Sequence, residues 1–153
     1  MSTSTPLIQI KRLAAPDHNL AAELVDDFSS AAQPPDHMQR FLQNPDNYLL
    51  TATINGATAG FLLAHALDRL KEDAQKMFIY EIEVAKQYRR KGIGRALIRH
   101  IVALARQRKM LSAFVLTNRA NNAAVELYRA TGATVPNDDD VLFEYRLEDS
   151  SSD

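Results

Sequence analysis

Apolar and polar residues alternate over residues 7–13, with Ile8 and Ile10 on one side and Gln9 and Lys11 on the other, which predicts a first strand. The period then changes. Pro16-Asp17 opens a helix in which Leu20, Leu24, Val25 and Phe28 recur at helical spacing, with Asp17 as its N-cap. Pro34-Pro35-Asp36 stops that helix and starts a shorter one carrying Met38, Phe41 and Leu42, broken by Asn44-Pro45-Asp46-Asn47. Two β-rich runs, 48–54 and 57–63, flank Asn55-Gly56, the sequence signature of a tight hairpin. A charged turn, 68–76, precedes a strand over 77–84. There, strict alternation places Phe78, Tyr80, Ile82 and Val84 on one face and Ile79, Glu81 and Glu83 on the other. Residues 92–109 predict a long helix through Ile93, Leu97, Ile101 and Leu104, and a strand follows over 111–116. A helix over 121–131 is closed by Gly132. A last strand is expected over 141–147, where Val141, Phe143, Tyr145 and Leu147 alternate with Leu142, Glu144 and Arg146.

The element order predicts one α/β domain spanning residues 1–153, a mixed and largely antiparallel sheet flanked by about four helices, with flexible ends at 1–6 and 148–153. Residues 47–67 contain no Asp, Glu, Lys or Arg and are long enough to span a bilayer, but Asn55-Gly56 at their centre makes them two strands. The polar N-terminus lacks the basic and apolar regions of a signal peptide, so a cytoplasmic protein without a membrane segment is expected. Eighteen Lys plus Arg against 19 Asp plus Glu give a net charge of −1, which argues against a nucleic-acid partner. The chain has no cysteine, and this excludes disulfides, zinc–thiolate sites and a cysteine nucleophile. His18, His37, His65 and His100 show no ligand spacing, so no metal is expected.

The chemistry concentrates where a strand meets a basic turn, a Gly-x-Gly and a helix: Arg89-Arg90-Lys91-Gly92-Ile93-Gly94-Arg95. Glycine lets the backbone approach an anion, and the first amides of a helix lack internal partners at its positive dipole end. Such a turn binds phosphate, or is simply a tight turn with a solvated basic patch. A dinucleotide-binding fingerprint fails, because Leu97 stands where a third small residue is needed and Thr117-Asn118 where an acidic one is needed. No Walker lysine, His-Glu-x-x-His or Gly-x-Ser-x-Gly pattern is present.

The Arg89–Gly94 loop, placed between the fourth strand and the third helix, resembles the acyl-CoA signature of the GNAT family of N-acetyltransferases. A second landmark agrees with it: Asn121 precedes Tyr128 on the following helix, within Asn121-Asn-Ala-Ala-Val-Glu-Leu-Tyr128. The resemblance implies the GNAT fold and acetyl-CoA as cofactor. It also implies that the amides of Arg90, Lys91, Gly92, Ile93, Gly94 and Arg95 cradle the pyrophosphate, and that Ile82, Glu83 and Val84 offer backbone hydrogen bonds to the pantetheine arm where parallel strands splay. Asn121 would then contact the cofactor, and Tyr128 would protonate the departing sulfur, a role that suits a phenol with a reference pKa of about 10. The alternative for Tyr128 is a core residue with a satisfied hydroxyl.

Glu81 and Glu83, two residues apart on one strand face, form a pair in which one carboxylate, made more basic by its neighbour's charge, takes a proton from an attacking amine. A solvated pair is the alternative. Ile79-Tyr-Glu-Ile-Glu-Val84 and the Arg-Arg-x-Gly-Ile loop are most similar to aminoglycoside 3-N-acetyltransferases of type I, with Glu81 in place of an Asp and Glu83 in place of a small residue. Where those enzymes carry a His and an Asp in the last strand, this chain has Phe143, Glu144 and Tyr145. An aminoglycoside is a polycation, which carboxylates would recognise: Glu81, Glu83, Asp138, Asp139, Asp140 and Glu144, with Asp36, Asp68, Glu72 and Asp73 at the rim, and His65 and Tyr48 orienting sugar hydroxyls. Other acceptors left open are a polyamine, another small amine and a protein amine; a non-catalytic acyl-CoA sensor is the reading outside enzymology. A homodimer is expected as the default symmetry.

Overall fold

The computed structural model describes residues 6–29 and 33–147, so the expected flexible ends lie, apart from Pro6, outside the described residues. Five strands form one sheet in chain order: β1 (Ile8–Arg12), β2 (Asn47–Ile54), β3 (Ala57–Asp68), β4 (Gln75–Val84) and β5 (Ala113–Val115). The first three pairings are antiparallel, and β4–β5 is parallel. Between β1 and β2 lie α1 (His18–Phe28) and α2 (Pro35–Gln43); α3 (Ile93–Gln107) and α4 (Asn122–Ala130) flank β5 in sequence. No helix among the described residues is long and apolar enough to cross a membrane.

The hairpin is as its sequence predicts. Asn55 and Gly56 take φ values of 50° and 85°, the left-handed pair that a two-residue turn between twisted strands requires. The charge-free stretch has a physical cause, since β2 and β3 are central strands covered on both faces. On one face Tyr48, Leu50, Leu62, Met77 and Ile79 pack against Ile93, Leu97, Ile98 and Ile101 of α3. On the other, Leu49 and Phe61 pack against Ala21 and Leu24 of α1 and Met38 of α2.

Two expectations need correction. The faces of β4 are not those of strict alternation: Leu63 pairs with Glu81 and Ala64 with Ile79, so Tyr80 is an extra residue in a bulge. The bulge sends Ile79 to the α3 side with Ile82 and Val84, while the rings of Phe78 and Tyr80 contact each other and the latter meets His65. The last strand is also absent. Residues 141–147 belong to no sheet and make no hydrogen bond with other described residues, and Val141, Phe143, Tyr145 and Leu147 are exposed. Their alternation is intact, but a strand exists only where an edge pairs with it.

Asp17 has a related but different role from the one predicted. Its carboxylate accepts from the Ala14 amide and Lys11 Nζ, both at 2.9 Å, securing a short 3-10 turn ahead of α1 rather than capping α1 itself. Those bonds hold the Asp17 carboxyl below its usual pKa range.

Candidate active site

Beyond the last β4 residue, Arg90 and Gly92 adopt φ values of 63° and 82°, so the basic loop turns in left-handed conformations that glycine takes without strain. Arg89 Nε donates to the Val84 carbonyl at 3.3 Å, tying loop to strand. The first backbone bond of α3 runs from the Ala96 amide to the Gly92 carbonyl, at 3.0 Å, which leaves the amides of Ile93, Gly94 and Arg95 without intrahelical partners. These residues line a cleft of about 1680 Å³ together with Arg89 and Arg90; Lys91 does not line it. Three guanidinium groups and the start of a helix make this end of the cleft an anion site.

The floor and far wall are as specific as the loop. Parallel pairing between β4 and β5 ends at Ile79 and Val115, so Ile82, Glu83 and Val84, which line the cleft, carry a β5-side edge with no strand on it. Asn121 and Tyr128 of the α4 region form the opposite side. The Asn121 Oδ1 accepts from the Ala124 amide at 3.1 Å, capping α4, and its amino group remains as a donor. Burial raises the pKa of the Tyr128 phenol, so it holds its proton at neutral pH. Gly94 allows α3 and α4 this approach, since a Cβ there would lie 3.2 Å from Leu127 Cδ2.

A second cavity, of about 300 Å³, lies on the α1–α2 side of the sheet and is lined by Phe28, Met38, Phe41, Phe61, Glu81 and Glu83 among others. Phe28 and Glu83 line both spaces, so the basic cleft and the apolar cavity adjoin at a carboxylate. Burial, and then the charge of Glu83, raise the pKa of Glu81, which suits its carboxylate to take up a proton. Gly60 sets the backbone here: a Cβ at that position would sit 2.5 Å from the Glu83 carbonyl oxygen.

The structure brings together Glu81, Glu83, the cleft-lining loop residues, Asn121 and Tyr128, and leaves other candidates apart. Asp138, Asp139, Asp140 and Glu144 line neither cavity; Asp138 instead pairs with Arg119 at 3.2 Å on the surface. Asp36, Asp68, Glu72 and Asp73 line neither one either. Tyr48 is 1% exposed in the core beneath the Arg12 guanidinium, which excludes sugar contact. His65 is bound through Nδ1 to Asn47 Oδ1 at 2.9 Å, and burial lowers its pKa. Phe28, His37, Phe41 and Gly60 are the site residues that sequence reasoning missed. Helical periodicity marks Phe28 and Phe41 as apolar, but only the packing of α1 and α2 over β2 and β3 shows that they wall a cavity.

The model of the acetyltransferase (GNAT) family matches residues 17–133. The chain belongs to the GNAT acetyltransferase family. A streptothricin acetyltransferase from Streptomyces lavendulae is 36% identical over 70 residues, a match covering 46% of this chain and 37% of that protein. Among solved structures, an aminoglycoside acetyltransferase, meta-AAC0020, from an uncultured soil metagenomic sample aligns at a TM-score of 0.81 with 24% identity, over 92% of this chain and 97% of that one. The aminoglycoside N-acetyltransferase AAC(6')-Iy in complex with CoA aligns at 0.74 with 16% identity, covering 96% and 99% of the respective chains. A ribosomal-protein-alanine N-acetyltransferase from Brucella melitensis biovar Abortus 2308 aligns at 0.69 with 22% identity, over 90% and 100%. These GNAT folds share the architecture with acceptors as different as a sugar amine and a protein amine, so the acceptor must be argued from this chain's own site.

Proposed function

We propose that this GNAT protein transfers the acetyl group of acetyl-CoA to an amine of an aminoglycoside antibiotic, at the 3-amino position. The observation that carries the reading is the junction of the two cavities at Glu83. An anion-binding cleft on one side and a carboxylate-bearing cavity on the other let an acyl thioester and an amine meet where a proton acceptor stands. Acetyl-CoA supplies the activated acyl group. The free amides of Ile93, Gly94 and Arg95, with Arg89 and Arg90, would hold its pyrophosphate, and the open edge of Ile82, Glu83 and Val84 its pantetheine arm.

Glu81 accepts the ammonium proton, directly or through Glu83 or water, so that the nitrogen lone pair attacks the thioester carbonyl. As the C–N bond forms and the C–S bond breaks, Tyr128 donates a proton to the departing sulfur, and the second proton shed by the acylated nitrogen restores the phenol through solvent. The attraction of paired carboxylates for ammonium groups and the 3-N-acetyltransferase-like strand and loop support the aminoglycoside acceptor; so does similarity in fold to an acetyltransferase solved with sisomicin. The lining by Phe28, Met38, Phe41 and Phe61 favours a second acceptor class, an amine carrying a compact apolar body. The whole chain is read as one catalytic domain, and the need for acetyl-CoA places the reaction in the cytoplasm.

The test is release of free CoA thiol from acetyl-CoA with gentamicin, sisomicin, spermidine, 2-phenylethylamine and a lysine peptide offered separately. Turnover with the aminoglycosides, and a product whose 3-amino group is shown by NMR to be acetylated, is the expected result. Turnover confined to 2-phenylethylamine would establish the second class, and saturable acetyl-CoA binding without turnover on any amine would overturn the enzymatic reading.

A further inference from the structure

Among the described residues, Phe28 and Glu83 alone line both the basic cleft and the apolar cavity. Glu83 takes part in the proposed chemistry, whereas the Phe28 ring has no charge and no proton to exchange. Its place is fixed from below. The ring meets that of Phe61 edge-on, with 5.1 Å between centroids and 69° between planes, and Phe61 pairs with Glu83 across the β3–β4 ladder. Cross-strand partners project to one face of a sheet, so Phe61 and Glu83 form one step of its surface, over which Phe28, the last residue of α1, closes. Leu63 and Glu81 form the next step, inside the cavity. Asp27, beside Phe28, lines the cleft, while Leu24 and Val25, one turn earlier, line the cavity, so the end of α1 is the partition between the two spaces.

We propose that Phe28 sets the length of the acyl group this protein transfers, its ring filling the space at the junction into which a chain longer than acetyl would extend. The inference rests on the reading of the cleft as the acetyl-CoA site and of the cavity as the acceptor site. A chain growing from a thioester at the junction has the cavity ahead of it. That cavity measures about 300 Å³, at the lower end of the roughly 300–1,000 Å³ that small-molecule sites span, so volume filled by the chain is volume lost to the amine. Its lining does not reject methylenes: Leu24, Val25, Met38, Phe41 and Leu49 attract a chain as readily as they attract the body of an amine. Selection of a short donor therefore needs a steric element where the two spaces meet, and Phe28 stands there. Packing on Phe61, within the cluster that includes Leu24 and Met38, keeps the ring from swinging aside. A longer donor undergoes the same transfer, a C–N bond formed and a C–S bond broken with CoA leaving as the thiol, once its chain has room.

Release of CoA thiol from acetyl-, propionyl- and butyryl-CoA, each with sisomicin and with 2-phenylethylamine as acceptor, tests the inference on the full chain. One methylene in a fitted apolar site changes kcat/KM by roughly 10–200-fold, so the wild type should prefer acetyl-CoA to propionyl-CoA by about 10-fold or more. Phe28→Ala vacates the ring's volume at the junction and should raise the propionyl-to-acetyl ratio of kcat/KM by about 10-fold or more. Phe28→Leu keeps an apolar contact with the core and should raise the ratio by a smaller factor; it carries the test if the alanine variant does not fold, which circular dichroism shows. Phe41→Ala removes a ring from the cavity away from the cleft and should leave the ratio near its wild-type value. Equal use of all three donors by the wild type overturns the inference and leaves the acetyltransfer reading standing. So does a ratio that the folded Phe28 variants do not change, or one that Phe41→Ala raises as much as they do. No transfer from acetyl-CoA to either amine counts against the acetyltransfer reading itself and takes the inference with it.

Discussion

Glu81 and Glu83 share a strand face but not an environment. Burial and its neighbour's charge raise the Glu81 pKa, so Glu81 must lose a proton at a pH above the ordinary glutamate range before it can act as base. The acid limb of kcat/KM is therefore expected above that range. Glu81→Gln should remove the limb and lower kcat by roughly 10²–10⁴-fold, whereas Glu83→Gln, which deletes only the smaller of the two causes, should move the limb to lower pH and keep it. Steady-state profiles from pH 5 to 9 check both; a limb unchanged in Glu81→Gln would assign the titration elsewhere. Tyr128 is raised by burial as well, but for a phenol this extends the pH range of the protonated acid. Tyr128→Phe should lower kcat by about 10²-fold with the acetyl-CoA Kd unchanged, measured by calorimetry, because the hydroxyl is proposed to act on the leaving sulfur and not on the pyrophosphate.

Two elements position these side chains through their backbones. Gly60 of β3 passes so close to Glu83 that a single methyl group would meet its carbonyl oxygen at 2.5 Å, so Gly60→Ala must displace β4 at the junction of the cavities. We expect reduced kcat together with a lowered melting temperature, separable from a purely local effect by measuring both. The start of α4 uses Asn121 as a cap, its Oδ1 accepting from the Ala124 amide, and Asn121 also lines the cleft, where its amino group is proposed to meet the cofactor. Asn121→Ala should lose both functions, costing about 0.5–2 kcal/mol of stability and raising the acetyl-CoA KM. Asn121→Ser keeps a capping oxygen without the amino group, so it should restore the melting temperature and leave KM raised; recovery of both would limit Asn121 to a cap.

These elements also explain what sequence could tell. The hairpin and four helices were legible because turn residues and periodicity are local, and the basic loop because its groups are contiguous. The Tyr80 bulge was not, since one inserted residue leaves no trace in a strand's pattern, and it is set by pairing with β3. The wall of the smaller cavity was not legible either: Phe28, Phe41 and Phe61 come from three elements, each reading as ordinary core.

At the scale of the molecule, a net charge of −1 hides a separation of charge across the sheet. Lys86, Arg89, Arg90 and Arg95 line the cleft and outnumber its Asp27, Glu83 and Glu126, and Glu81 stands in the cavity on the other side of Glu83. Each space therefore attracts the sign it is proposed to bind, an anionic acyl thioester or a cationic amine, and neither attraction depends on the chemical step. The Debye length falls from about 10 Å at 0.1 M salt to about 3 Å at 1 M, so KM for acetyl-CoA and for a polycationic aminoglycoside should both rise with salt while kcat changes little. Replacing Arg90 by Ala should flatten the salt dependence for acetyl-CoA alone, and Glu83→Gln that for the amine alone. An acceptor KM insensitive to salt, beside a sensitive acetyl-CoA KM, would mean that the apolar lining and not the carboxylates selects the amine, because burial of apolar surface is not screened by small ions.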